Sequence, residues 1–156
     1  MNKVKVTIIY VNYFSSRLIS ESVKSLNNQI FTDFEVIIVD NSSGTTEYNK
    51  LKLIKEQVDN NDFNIRILKP GYNLGFAGGN NYAIKHQTTR YGLLLNPDTE
   101  IKDPAFLGKI VRYMECNQKV GLLSPKICHY NNPKRIWYAG ARINPKSIYF
   151  SYHIGM

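Results

Sequence analysis

Short apolar runs and helically spaced apolar stripes alternate along this chain. Residues 4–11 are rich in β-branched side chains and stop at Asn12, which predicts a strand. Leu18, Ile19, Val23 and Leu26, followed by Ile30, share one helical face within residues 16–29 and just beyond. Residues 34–39 are almost continuously apolar, as strands covered on both faces are. Asp40-Asn41-Ser42-Ser43-Gly44 then breaks the run. Tyr48, Leu51, Ile54 and Val58 stripe a second helix, and residues 65–68 predict a third strand before Pro70-Gly71-Tyr72-Asn73. Residues 76–85 read as a helix with glycines at its start, and residues 91–95 as a strand ending at Asn96-Pro97-Asp98. Phe106, Leu107, Ile110, Val111 and Met114 mark the most regular helix, with Pro104 near its beginning. Residues 120–123 predict a fifth strand.

Strands alternating with helices imply an α/β fold, a parallel doubly wound sheet with helices on both faces. Such sheets bind ligands beyond the carboxyl ends of their strands. The predicted core covers residues 1–124. Residues 125–156, with Pro125, Pro133 and Pro145 among Tyr130, Trp137, Tyr138, Tyr149, Phe150 and Tyr152, follow a different pattern and read as the start of an incomplete second region.

Composition narrows the class. The 156 residues make about one domain, and 43% hydrophobic with 21% charged residues excludes a disordered or fibrous chain. The net charge of +8 is uneven. Residues 1–100 hold eleven basic and ten acidic residues; residues 101–156 hold nine basic and two acidic ones, Asp103 and Glu115. A basic last third attracts nucleic acid, anionic lipid or a phosphorylated ligand. A nucleic-acid module is disfavoured because the basic and aromatic residues there follow no recognised spacing. Cys116 and Cys128 form no CxxC, so no metal or redox motif arises. They read as buried small apolar groups in a reducing compartment. No apolar run is long enough to span a bilayer. A cytoplasmic protein follows, with contact at the inner membrane face left open.

Three polar clusters fall at predicted strand ends, where a parallel sheet gathers them on one rim: Asn12-Tyr13, Asp40-Asn41 and Asn96-Pro97-Asp98-Thr99-Glu100. Turn formation and helix capping also explain each singly; their convergence is the stronger signal. Tyr13 offers a flat face to a base, and Asp40 an acceptor for an imide or a ribose hydroxyl. Asp98 is a hard oxygen ligand suited to Mg2+ or Mn2+ bridging a diphosphate. Asn96 is a neutral oxygen donor or a turn former. The stretch from Asn73 to Asn81 carries Gly75, Gly78 and Gly79 at a helix start, which suits either an anion or close helix–sheet packing. It is neither a Walker A loop nor a dinucleotide fingerprint. His86, His129 and His153 lack metal spacing, and Ser42-Ser43 lacks the glycines of a nucleophile elbow.

These segments together resemble the family 2 glycosyltransferases of GT-A fold, in particular the rhamnosyltransferase-like branch. The matching stretches are Val11-Asn12-Tyr13, Val39-Asp40-Asn41-Ser42-Ser43, Asn73 through Asn81, Leu95-Asn96-Pro97-Asp98-Thr99, and Tyr138-Ala139-Gly140 with Ile143. The resemblance implies transfer of a sugar, with inversion, from a nucleotide-diphospho-sugar (dTDP- or UDP-linked) to a hydroxyl of a glycan or lipid-linked acceptor, as in cell-surface polysaccharide synthesis. It implies donor contacts from Val11, Asn12, Tyr13, Asp40, Asn41, Gly75, Gly78, Gly79, Asn80 and Asn96. It also implies a divalent metal at Asp98, the second acid of the family's Asp-x-Asp motif; Asn96 stands where the first often is. Family members continue past residue 156, and the resemblance places the general base there, so the chain reads as shortened and weak in transfer by itself. The alternative is a non-catalytic nucleotide-binding remnant that serves as an interaction partner. An aromatic flank at Tyr149, Phe150 and Tyr152 would favour a homo-oligomer.

Overall fold

The computed structural model describes residues 4–58, 63–143 and 151–153. They form, in order, β1 (Val6–Asn12), α1 (Ser16–Leu26), β2 (Phe34–Asp40), α2 (Thr46–Val58), β3 (Ile65–Leu68), α3 (Gly75–His86), β4 (Tyr91–Leu94), α4 (Phe106–Cys116), β5 (Ile127–His129), β6 (Asn132–Tyr138), β7 (Ala141–Ile143) and β8 (Ser151–His153). Two compact units divide the chain at Lys109 and Ile110.

The first unit is built on a four-stranded sheet in the order β3-β2-β1-β4. Every pairing is parallel. The chain steps outward from β1 through β2 to β3, then crosses to the other side of β1 for β4. The order therefore reverses between β1 and β4, the kind of switch point where open α/β sheets leave a crevice.

Side-chain alternation sends Ile9, Ile37 and Val39 to one face, where Ala83 and Tyr82 of α3 pack with Leu68. Tyr10 points to the opposite face and meets Ser22 of α1. Helices thus cover both faces, as the continuous apolar runs require. Ile8, Ile9, Ile37 and Ile38 are wholly buried, and each such side chain contributes about 1.5–3 kcal/mol of burial.

At the amino end of the strands lies a part-buried polar row. Thr7 donates to Glu35 Oε1 at 2.9 Å, and Arg66 donates to the same oxygen at 3.0 Å and to the His86 carbonyl closing α3 at 3.0 Å.

Two expectations are corrected. Residues 120–123 form no strand; Gly121 weakens strand pairing, Pro125 follows shortly after, and Leu122 is exposed. The second unit instead carries two antiparallel pairs, β5 with β6 and β7 with β8. Ile30 does not join the apolar face of α1. That helix ends at Leu26, and Ile30 is exposed while its N–H reaches the Pro104 carbonyl at 2.9 Å. Among the described residues no helix is long and apolar enough to cross a membrane.

Candidate functional site

The last residues of β1 and β2 are register partners, Asn12 and Asp40. Both are buried. Asn12 Nδ2 donates to Asp40 Oδ1 at 2.9 Å and to Ser42 Oγ at 3.2 Å. Asn12 Oδ1 accepts from the backbone and the hydroxyl of Ser15, each at 3.0 Å. Every hydrogen-bonding position of the Asn12 amide is thereby used inside the protein. Asp40 Oδ1 also accepts from the Ser42 backbone N–H at 3.1 Å. Asp40 Oδ2 is buried with no partner. Leaving such an acceptor unmatched costs about 1–3 kcal/mol.

Tyr13 and Phe14 follow directly and are 58% and 57% exposed. Their rings meet edge to face at 4.9 Å. Phe14 has φ +53°, a left-handed conformation that strains a bulky side chain. Its N–H donates to Ser42 Oγ at 2.9 Å, which holds the strained turn in place. The first turn of α1 is braced by Glu47 of α2, whose Oε2 accepts the Ser16 N–H at 3.2 Å while Lys50 donates to Oε1 at 2.8 Å. Burial pushes the Glu47 carboxyl up, but the bonds from Lys50 and Ser16 and the charge of Lys50 outweigh it and hold the group below its usual value.

The glycine-rich segment is tied to the same rim by Asn41. Its Nδ2 donates to the Gly75 carbonyl at 3.0 Å, and its Oδ1 accepts from the Leu74 N–H at 3.4 Å. Gly75 adopts φ +69° where α3 begins, and Asn73 Oδ1 accepts its N–H at 2.8 Å. Gly79 lies against β1: a Cβ there would sit 2.8 Å from Val11 Cγ1 and 3.2 Å from Asn41 Nδ2. A Cβ on Gly78 would sit 3.0 Å from the Leu74 Cβ. Of the two uses read for these glycines, helix–sheet packing is what Gly79 performs. Asn80 is buried and donates to the Phe76 carbonyl at 3.0 Å within its own helix.

The third cluster follows β4. Asn96 and Asp98 are exposed and Glu100 is half-buried. Among the described residues no three His, Cys, Asp or Glu side chains gather into a cation cluster. One exposed carboxylate and an amide oxygen fit a hard Mg2+ or Mn2+ that takes its remaining ligands from water and a diphosphate; they do not make a closed protein cage.

Residues 7–154 match the profile of glycosyl transferase family 2. The chain belongs to this family. An uncharacterized glycosyltransferase of Haemophilus influenzae is 30% identical over 115 residues, 74% of this chain and 34% of that protein. A teichoic acid poly(glycerol phosphate) polymerase of Staphylococcus epidermidis is 34% identical over 122 residues, 78% of this chain and 16% of that one. Mannosyltransferase PcManGT of Pyrobaculum calidifontis, solved in complex with GDP-Man and Mn2+, shares the fold with a TM-score of 0.64 at 21% identity, over 70% of this chain and 32% of that one. This family 2 chain thus spans about a third or less of these proteins' length, and its sheet has the GT-A-like arrangement.

Within the family 2 domain, hydrogen bonds join Asn12 to Asp40 and Asn41 to the glycine-rich segment, and the parallel sheet sets the segment carrying Asn96 and Asp98 at the carboxyl end of neighbouring β4. His86 sits at the end of α3 with Nδ1 2.7 Å from the Tyr82 carbonyl, a capping contact. Cys116 is exposed rather than buried, since it is the last residue of α4, and Cys128 is intermediate. Tyr149 and Phe150 and the side chains of Tyr152 and His153 lie outside the described part. Sequence reasoning missed Ser15 and Phe14, and it missed the structural use of Ser42. It also missed Ser22, Ser25 and Gln29 of the α1 region, polar residues at helical spacing on the stripe that carries Ile19 and Leu26. That spacing is the signal that could have found them.

Proposed function

We propose that this chain is the donor-binding portion of an inverting glycosyltransferase that uses a dTDP- or UDP-linked sugar. The observation that carries the reading is the buried, unpartnered Asp40 Oδ2 at the end of β2. An imide N–H or a ribose hydroxyl supplies the missing donor, and the exposed Tyr13 ring offers the stacking face beside it. Asn12 and Asn41 act through the protein, Asn12 by orienting Asp40 and Asn41 by docking the Gly75 turn. Gly75, Gly78, Gly79 and Asn80 shape the start of α3 next to the donor, and Val11 backs it. Asn96 and Asp98 would hold Mg2+ or Mn2+ for the diphosphate; the solved mannosyltransferase of the same fold carries Mn2+.

When bound, the cation supplies charge stabilisation to the departing nucleoside diphosphate. The acceptor is a glycan or lipid-linked hydroxyl at the cytoplasmic face of a membrane, a setting the basic last third supports. The rhamnosyltransferase-like assignment within the family rests on the Asn-Pro-Asp and glycine-rich motifs.

Isothermal calorimetry with UDP and dTDP, with and without Mn2+, tests the reading. Binding that strengthens with Mn2+ and loses that gain in Asp98→Ala is expected. Equal weak heats in all four conditions, unchanged by the substitution, overturn it.

A further inference from the structure

Between the end of β4 at Leu94 and the start of α4 at Phe106 the chain forms no helix or strand, yet this stretch carries Asn96 and Asp98. One end is fixed by the sheet, where the Leu95 N–H donates to the Ile9 carbonyl at 2.9 Å. The Thr99 N–H closes a turn onto the Asn96 carbonyl at 3.1 Å. The other end is held by α1 and the residues just after it. Ser22 Oγ donates to the Thr99 carbonyl. Ser25 Oγ accepts the Ile101 N–H at 3.1 Å. Gln29 donates to the Asp103 carbonyl at 2.8 Å and accepts the Leu107 N–H at 3.1 Å.

Of these groups Ser22 acts nearest to Asp98, on the carbonyl of the next residue. The roles in its network follow from chemistry. A carbonyl only accepts, so the Ser22 hydrogen is committed to Thr99. The 2.8 Å contact between Ser22 and the Tyr10 hydroxyl therefore has Tyr10 as donor. Both side chains are buried, Tyr10 completely. Two buried hydroxyls are thus spent on fixing one carbonyl, where apolar side chains would avoid the desolvation cost.

We propose that Ser22 is a positioning residue for the metal-bearing turn, holding Asp98 in the orientation that grips a cation–diphosphate pair. The proposal rests on the donor reading above. Its readout is the gain factor, the ratio of UDP affinity with Mn2+ to UDP affinity without it, measured by calorimetry beside thermal unfolding of each variant. In Ser22→Ala the gain factor is expected to fall roughly fivefold to tenfold, while metal-free UDP affinity stays within about twofold of the parent chain. Tyr10→Phe removes a buried hydrogen bond but leaves Ser22 on Thr99. It should lose stability and keep the gain factor within about twofold. Should Ser22→Ala fail to fold, Ser25→Ala, which releases Ile101, takes its place with a smaller loss of the factor expected. A full gain factor in the serine variants overturns the proposal, as does an equal loss in Tyr10→Phe, which would mark general loosening of the core. Asp98→Ala separates the two levels: if it keeps the gain factor, the metal reading itself fails and the proposal with it.

Discussion

Asn12 and Asp40 stand side by side at the ends of β1 and β2, with Asn12 Nδ2 donating to Asp40 Oδ1 at 2.9 Å and Asp40 Oδ2 left buried without a partner. The two oxygens have different jobs. Oδ1 accepts two N–H groups of the protein, from Asn12 and Ser42, and so cannot be exchanged for a nitrogen.

In Asp40→Asn the amide must therefore keep its oxygen at Oδ1 and present NH2 where Oδ2 was. The fold keeps its bonds and loses a buried charge, so thermal stability should hold or rise. Nucleotide affinity should fall about tenfold to hundredfold, because a donor now faces the ligand's donor and a charge-assisted bond of about 1.5–3 kcal/mol is gone. Calorimetry with UDP beside a melting curve reads both.

Phe14 stores backbone strain at φ +53° with its ring 57% exposed. Phe14→Gly relieves that strain and is expected to stabilise the chain by about 1 kcal/mol, read from the urea midpoint. A destabilised variant would show that the ring contact with Tyr13 outweighs the strain.

Gly79 and Gly108 should respond in opposite directions. A methyl on Gly79 meets Val11 at 2.8 Å, whereas one on Gly108 in α4 meets only ordinary contact with Phe31 at 3.7 Å. Gly79→Ala should cost about 1–3 kcal/mol through overpacking. Gly108→Ala should gain about 0.5–1 kcal/mol from helix propensity. Urea unfolding of both variants checks the contrast.

The apolar runs made β1 and β2 legible, because a strand covered on both faces shows almost no polar positions. The rim was legible for the same reason: Asn12, Asp40 and Asn96 interrupt such runs at their ends. What the sequence hid was the use of each amide. Nothing in its letters says that Asn12 spends its whole side chain on Asp40, Ser42 and Ser15, or that Phe14 turns left-handed. Residues 120–123 looked like a strand because three of the four are apolar, but apolar content alone supplies no pairing partner. The polar positions at Ser22, Ser25 and Gln29 were visible, and only tertiary contact shows that they reach a distant turn.

Acid should weaken the fold partly through Glu47. Its folded-state carboxyl is held below the usual value of 4.5 by Lys50 and Ser16 against the raising effect of burial. A depressed value contributes stability that is present above the unfolded value and is lost as pH falls through the folded one. Urea midpoints measured from pH 7 down to about pH 3 should drop below pH 4.5, and Glu47→Gln should flatten that part of the curve.

A crystal of the chain soaked with UDP and Mn2+ tests the site most directly. The expected density places an imide N–H or ribose hydroxyl within hydrogen-bonding distance of Asp40 Oδ2, with the diphosphate and cation beside Asp98. Nucleotide bound away from the carboxyl ends of β1, β2 and β4, with Asp40 Oδ2 still lacking a partner, would contradict it.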